Sequence, residues 1–149
     1  MKKLYVFLLP ALVVLSAGCI KSVDSGNLTG VTPSGSYAGE FRLLLKPKNK
    51  TTFDTTKATI RLELTNNIDF KVLGDTTVVH AGSKGTYGAG SGTTANLISF
   101  IDTTYPRTGK ATKTHLNGTY VFSSTADGLQ LLSTSADTLR LEYDLKRVK

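Results

Sequence analysis

The chain has 149 residues, one cysteine, no tryptophan and a formal charge of +7, with 40% hydrophobic and 19% charged residues. That length fits one domain with a real core and leaves no room for two. A single cysteine excludes an internal disulfide and a thiolate zinc site, and the basic excess is spread along the chain rather than clustered into the stripe of a nucleic-acid binder.

Lys2 and Lys3 precede an apolar run over residues 4–15, interrupted by Pro10 and followed by Leu15-Ser16-Ala17-Gly18-Cys19. A basic start, a short apolar run and a small-residue end are the parts of a secretory signal. The run falls well short of the roughly 20 apolar residues that a membrane-spanning helix needs. Residues 15–19 resemble the lipobox of bacterial lipoproteins. The resemblance implies a signal peptide over 1–18, cleavage before Cys19, diacylglycerol on its thiol and a further acyl chain such as palmitate on the new amino terminus. It also implies a protein of the bacterial cell envelope, lipid-anchored at the outer membrane, with the membrane itself as a partner. Cys19 has no other cysteine to pair with, which agrees with a thiol consumed by lipid. Two or more acyl chains hold a protein on a bilayer stably.

Loss of residues 1–18 removes Lys2 and Lys3 and lowers the charge to about +5. Residues 19–34 are dominated by Ser, Gly, Asn, Thr, Asp and Pro33 without periodicity, and they read as a flexible tether spanning on the order of 20 Å. From residue 35 to 149 the apolar period is two, and no window shows a 3.6-residue repeat. In the first strand Tyr37, Gly39, Phe41, Leu43 and Leu45 share one face, with Glu40 and Arg42 on the other. Ala58, Ile60, Leu62 and Leu64 form a second, and Asn66-Asn67 turns the chain into Ile68, Phe70 and Val72. Further strands are expected over residues 76–80, 84–92, 95–101, 116–123, 129–133 and 139–145, with Asp127-Gly128 as a turn. Short hairpin links favour an all-β, up-and-down antiparallel meander of eight or nine strands, closed into a small barrel to protect its edges.

Gly35-Ser36-Tyr37, Gly85-Thr86-Tyr87 and Gly118-Thr119-Tyr120 each place Gly, a hydroxyl residue and Tyr at a strand start. With the closing segments 116–120 and 139–143, they make residues 34–147 resemble the lipocalin-like, calycin-type small barrels found among bacterial lipoproteins. Such a barrel implies a mouth for a small apolar ligand, here lined by Tyr37, Phe41, Phe70, Tyr120 and Phe122.

The search for catalytic chemistry is mostly negative. His80 and His115 are the only imidazoles and lie in no metal-ligand spacing, so neither metal nor cofactor is expected. An acid–base centre would need one of them within reach of a buried carboxylate in a cleft, and neither has an evident partner in sequence. Gly90-Ser91-Gly92 is too short for a nucleophile elbow. The glycines of residues 82–92 run in the wrong order for a dinucleotide loop and suit a hairpin and a sharply coiled strand. Glu40, Glu63 and Glu142 fall at outward, solvated positions. No catalytic residue is therefore assigned, and the chain is not expected to be an enzyme.

Two basic loops, Lys46 to Lys50 and the stretch with Arg107, Lys110, Lys113 and His115, lie at one end of an eight-stranded barrel or at opposite ends of a nine-stranded one. Asp54-Thr55-Thr56, Asp75-Thr76-Thr77, Asp102-Thr103-Thr104 and Asp137-Thr138-Leu139 resemble the O-glycosylation acceptor motif of exported Bacteroidota proteins, and equally fit places where strands start and turns end. Two functions are left: a non-catalytic module that docks an envelope protein, and a carrier of a small apolar ligand. A filled interior favours the first and an enclosed pocket the second.

Overall fold

The computed structural model describes residues 32–91 and 94–149. The expected signal peptide, Cys19 and the tether up to residue 31 lie outside the described residues, as do Gly92 and Thr93. Eight strands follow one another: β1 (Gly35–Leu45), β2 (Asp54–Thr65), β3 (Asp69–Gly74), β4 (Lys84–Ser91), β5 (Asn96–Asp102), β6 (Gly118–Ser124), β7 (Gly128–Ser135) and β8 (Leu139–Arg147). Each pairs antiparallel with the next. β8 returns to β1 from Tyr37↔Arg147 to Leu45↔Leu139, which closes the barrel. The fold is thus an all-β, up-and-down meander, compatible with a small calycin-like barrel, and no helix occurs among the described residues.

The strand expected over residues 76–80 does not form, and this settles the count at eight. β3 already pairs directly with β4, from Asp69↔Thr86 to Lys71↔Lys84, so no position is vacant between them. Asp75 also bends the chain just before the segment, its Oδ1 accepting bonds from the backbone N (3.2 Å) and Oγ1 (2.7 Å) of Thr77. An Asp side chain that holds its own following backbone favours a turn over a ladder. Val79 packs against the core instead, and His80 makes a single bridge to Thr114.

Alternation fills the interior. Tyr37, Phe41, Ile60, Leu62, Leu64, Phe70, Val72, Ile98, Phe100, Tyr120, Leu129, Leu131, Tyr143 and Leu145 are all buried in one cluster. Fully burying such a side chain contributes about 1.5–3 kcal/mol, which offsets the ordering of a chain that has no internal disulfide. Closure also needs small residues where backbones touch: a Cβ on Gly39 would strike the Asp144 carbonyl, and one on Gly85 the Ile101 carbonyl. The outer wall of β8, β1 and β2 is a lattice of charge, with Arg42 3.1 Å and Arg140 2.7 Å from Glu142, Lys57 3.1 Å from Glu40, and Arg61 3.3 Å from Glu63. These are the outward carboxylates that alternation predicts.

The meander gives the barrel two unlike ends. The β2–β3, β4–β5 and β6–β7 turns share one end with the entry of the chain at Pro33; this is the tether end. The β1–β2, β3–β4, β5–β6 and β7–β8 connections share the other, the loop end. Asn66 and Asn67 take left-handed conformations (φ 52° and 57°) in the β2–β3 turn, which Ile68 N closes by donating to Thr65 O (3.1 Å), as a type I′ turn requires. Ala136 in the β7–β8 turn is also left-handed (φ 48°), which costs an alanine about 1–2 kcal/mol relative to its ordinary conformation. Ala136→Gly is therefore expected to stabilise the barrel by about 1 kcal/mol despite glycine's freer unfolded chain, seen as a higher urea midpoint at unchanged m-value; a lower midpoint would contradict the strain.

Candidate functional site

The loop end is a stitched polar lid. The β3–β4 connection crosses the barrel opening and zips onto the β5–β6 connection: Ala81 N donates to Thr114 O (2.8 Å) and Thr114 N to Val79 O (2.9 Å). Lys113 Nζ donates to Thr76 O (2.8 Å), and Leu116 N donates to Ser83 Oγ (3.1 Å). Thr103 N and Oγ1 both reach Lys84 O at 2.9 Å. Such a lid satisfies its own backbone, as a segment over an apolar interior must.

His80 is the centre of the lid and is fully buried. Its Nδ1 lies 2.6 Å from the Ala81 carbonyl, which can only accept, so Nδ1 carries the proton. Nε2 is then an acceptor, and the Tyr143 hydroxyl donates to it at 2.9 Å. Phe41 packs edge-on against the imidazole with centroids 4.7 Å apart. Burial pushes the His80 pKa down to about 4, with the bond to Ala81 opposing and the charge of His115 assisting. Burial likewise raises Tyr143 well above the usual phenol range and Tyr120 to about 12. His80 is thus a neutral plug bonded to the floor of the opening.

Asp102 departs from the outward pattern of the other acids: its parity on β5 points it inward, with its side chain at zero exposure. Oδ1 accepts from Thr104 N (2.7 Å) and Oγ1 (2.6 Å), and Oδ2 from His115 Nδ1 (2.6 Å). Burial alone would raise this carboxyl, but bonds from Thr104, His115 and Ser83 outweigh it and hold it below the usual carboxylate range. The expectation that both histidines lack partners is therefore corrected. His115 sits at the rim, its side chain 10% exposed, with the Tyr105 ring 5.1 Å away. A carboxylate that fixes one ring nitrogen leaves the other free for proton transfer, and Nε2 of His115 has no bond among the described residues. The rest of a nucleophilic centre does not follow, since the fully buried Ser83 lies on the carboxylate and not on Nε2. Sequence spacing could not have found the pair, because residues 102 and 115 meet only when the long β5–β6 connection folds back.

Of the expected ligand-lining residues, Tyr120 borders a shallow groove of about 270 Å³ that it shares with Leu97, Thr119, Val121, Leu132, Ser133 and Thr134. All five lie in the packed core, Tyr37 and Phe41 with zero exposure, Tyr120 1%, Phe70 3% and Phe122 7%. At the tether end, Tyr37 donates to Ser34 O (3.0 Å), Arg147 donates to the Tyr37 hydroxyl (2.8 Å), and Tyr87 donates to Pro33 O (2.7 Å). The recurring Gly-x-Tyr thus serves packing and end closure. Both basic loops lie at the loop end, as eight strands require, with Lys50 engaged by Asp54 at 3.3 Å. All four Asp-Thr sequences also fall at this end, and in two of them the Asp carboxylate is spent on its own turn. Comparisons with protein-family models, with curated proteins and with solved structures find no match to this chain.

The plug carries a pH signature. In the unfolded chain His80 takes up a proton near pH 6.5, and in the barrel only near 4. Stability is intact above the first value, is lost as pH falls between the two, and levels off below the second; the loss is about 3 kcal/mol. Asp102 acts in a lower window, below the ordinary carboxylate range, since its folded pKa is depressed. Urea melts from pH 7 to 4 should show the loss in the wild type and a flattened slope in His80→Leu. Tyr143→Phe leaves the acceptor on His80 unpaired in a buried site and should cost about 1–3 kcal/mol at pH 7, with the strand circular dichroism unchanged.

Proposed function

We propose that this chain is a lipid-anchored protein of the bacterial envelope whose barrel is a non-catalytic interaction module, held by lipid on Cys19 and presenting its loop end away from the membrane. The observation that carries the reading is the packed interior: Tyr37, Phe41, Leu62, Ile98, Leu116 and Leu129 all have zero exposure, which weighs against a carrier with its ligand in the barrel mouth. With buried side chains taking up the inward positions, such a barrel has its walls and loops left for recognition. The direction of display is supported by Pro33 and Ser34, whose carbonyls are fastened to β4 and β1 at the tether end, opposite the long connections and the basic loops. The His115–Asp102 pair favours a proton-transfer role, but its geometry supplies neither a nucleophile nor donors for a developing charge.

Two measurements test this. Cys19→Ser should move the protein from the membrane fraction to the soluble fraction while the barrel keeps its strand circular dichroism; retention on membranes would defeat the anchoring. An apolar fluorescent fatty-acid probe should bind the purified protein no better than bulk albumin-free buffer allows, and saturable stoichiometric binding would restore the carrier.

A further inference from the structure

Cations are handled differently on the wall and at the loop end. On the wall of β8, β1 and β2, Arg42, Lys57, Arg61 and Arg140 each meet a glutamate. The connections of the loop end, residues 46–53, 75–83, 103–117 and 136–138, hold six Lys and Arg against two Asp. Of the six, Lys50 is paired with Asp54, and Lys113 donates to the Thr76 carbonyl. Lys46, Lys48, Arg107 and Lys110 make no ion pair among the described residues. The turns of the tether end, 66–68, 92–95 and 125–127, contain no Lys or Arg.

The same end leaves large apolar side chains in water. Val78 is 74% exposed, Leu45 47%, Tyr105 45% and Phe53 39%. Leu45 has the inward parity of Phe41 and Leu43, but it is the last residue of β1, where no core is left to cover it. Val78 and Val79 differ in fate: Val79 packs against the core while Val78 stands out of the lid. The backbone around Val78 is held on both sides, Thr77 by the Asp75 carboxylate and Val79 O by Thr114 N. The exposed isopropyl group is therefore displayed on a fixed segment.

We infer that the loop end docks on an anionic lipid bilayer, with Lys46, Lys48, Arg107 and Lys110 at the head groups and the apolar side chains of the same loops at the boundary beneath them. Charge by itself would fit any polyanion; the apolar groups set among the charges favour lipid, whose surface is negative outside and apolar below. Lys and Arg stems keep their charge among head groups while short apolar side chains and a Tyr ring enter the boundary. Each cation near such a surface strengthens binding on the order of fivefold, so four of them with shallow apolar contact give a reversible association, unlike an acyl anchor. With lipid on Cys19 at the tether end, the loop end then meets a second bilayer. Without that lipid its affinity is unchanged, because the affinity resides in the barrel.

The mature chain, residues 19–149 with Cys19→Ser, tests this apart from the anchor. It is sedimented with sucrose-loaded vesicles of phosphatidylcholine, either alone or mixed with phosphatidylglycerol. Binding is expected to the mixed vesicles only, and it should fall steeply as salt rises. Lys48→Glu with Lys110→Glu should weaken it on the order of tenfold or more. Lys71→Glu with Lys146→Glu makes the same change of net charge at exposed positions of the wall, and should leave binding within about twofold. The chain has no tryptophan, so Val78→Trp places a single reporter in the lid, and its emission should shift to the blue with mixed vesicles. No binding to mixed vesicles, equal binding to both kinds, equal loss in the two pairs of variants, or an unmoved tryptophan emission would each overturn the docking. The first of these is also the result that an acidic protein partner predicts. Since this chain carries no lipid, none of these outcomes bears on the anchor.

Discussion

The pairing of β8 with β1 governs the rest of this molecule. A meander of eight strands left open would present two long edges, and β1 and β8 carry alternating apolar residues that would recruit other chains. Closure removes both edges, and it forces the inward positions of all eight strands into one volume. With Tyr37, Phe41, Phe70, Phe100, Tyr120, Phe122 and Tyr143 among them, that volume is taken up by rings in edge-on and tilted contact, such as Phe70 with Phe100 and Tyr120 with Tyr143. Small barrels of this strand number can be filled entirely by side chains. Tyrosine is then a consequential choice, since each buried hydroxyl needs a partner. Tyr37 and Tyr87 find theirs at the tether end, and Tyr143 finds His80 at the loop end.

Much of this was legible in the sequence, because a period of two registers directly as an inside and an outside. The hairpin at Asn66-Asn67, the turn at Asp127-Gly128, the outward glutamates and the closing strand all follow from local chemistry and alternation. The segment at residues 76–80 misleads for a physical reason: its β-branched residues have strand propensity, but propensity reflects fit to a half-buried pleated surface, and the sheet offers no vacant place there. Asp102 misleads differently. Its parity with Ile98 and Phe100 marks it as inward, yet an inward acid is acceptable only with donors supplied from far along the chain, and His115 and Ser83 are such donors.

The two ends of the barrel are finished in chemically different ways. Phenol hydroxyls grip backbone carbonyls at one end, while an imidazole and a carboxylate gather long loops at the other. At the first, burial pushes the Tyr87 hydroxyl further up from the ordinary phenol range; the second depends on His80 staying uncharged and Asp102 staying charged. Acidification therefore acts on the lid before it acts on the base, and the loop end is the part of the domain whose order is tied to its surroundings.

The fastening of Pro33 and Ser34 also has a mechanical side. Tension applied through the amino-terminal segment does not peel a strand from an edge. It reaches β1, which is held along its length by β2 on one flank and β8 on the other, so the ladder bonds on both sides share the load in shear instead of breaking one at a time. The Tyr87 bond to Pro33 spreads part of the same pull onto β4. A barrel gripped in this way resists extraction along its own axis far better than an open sheet pulled from a terminal edge.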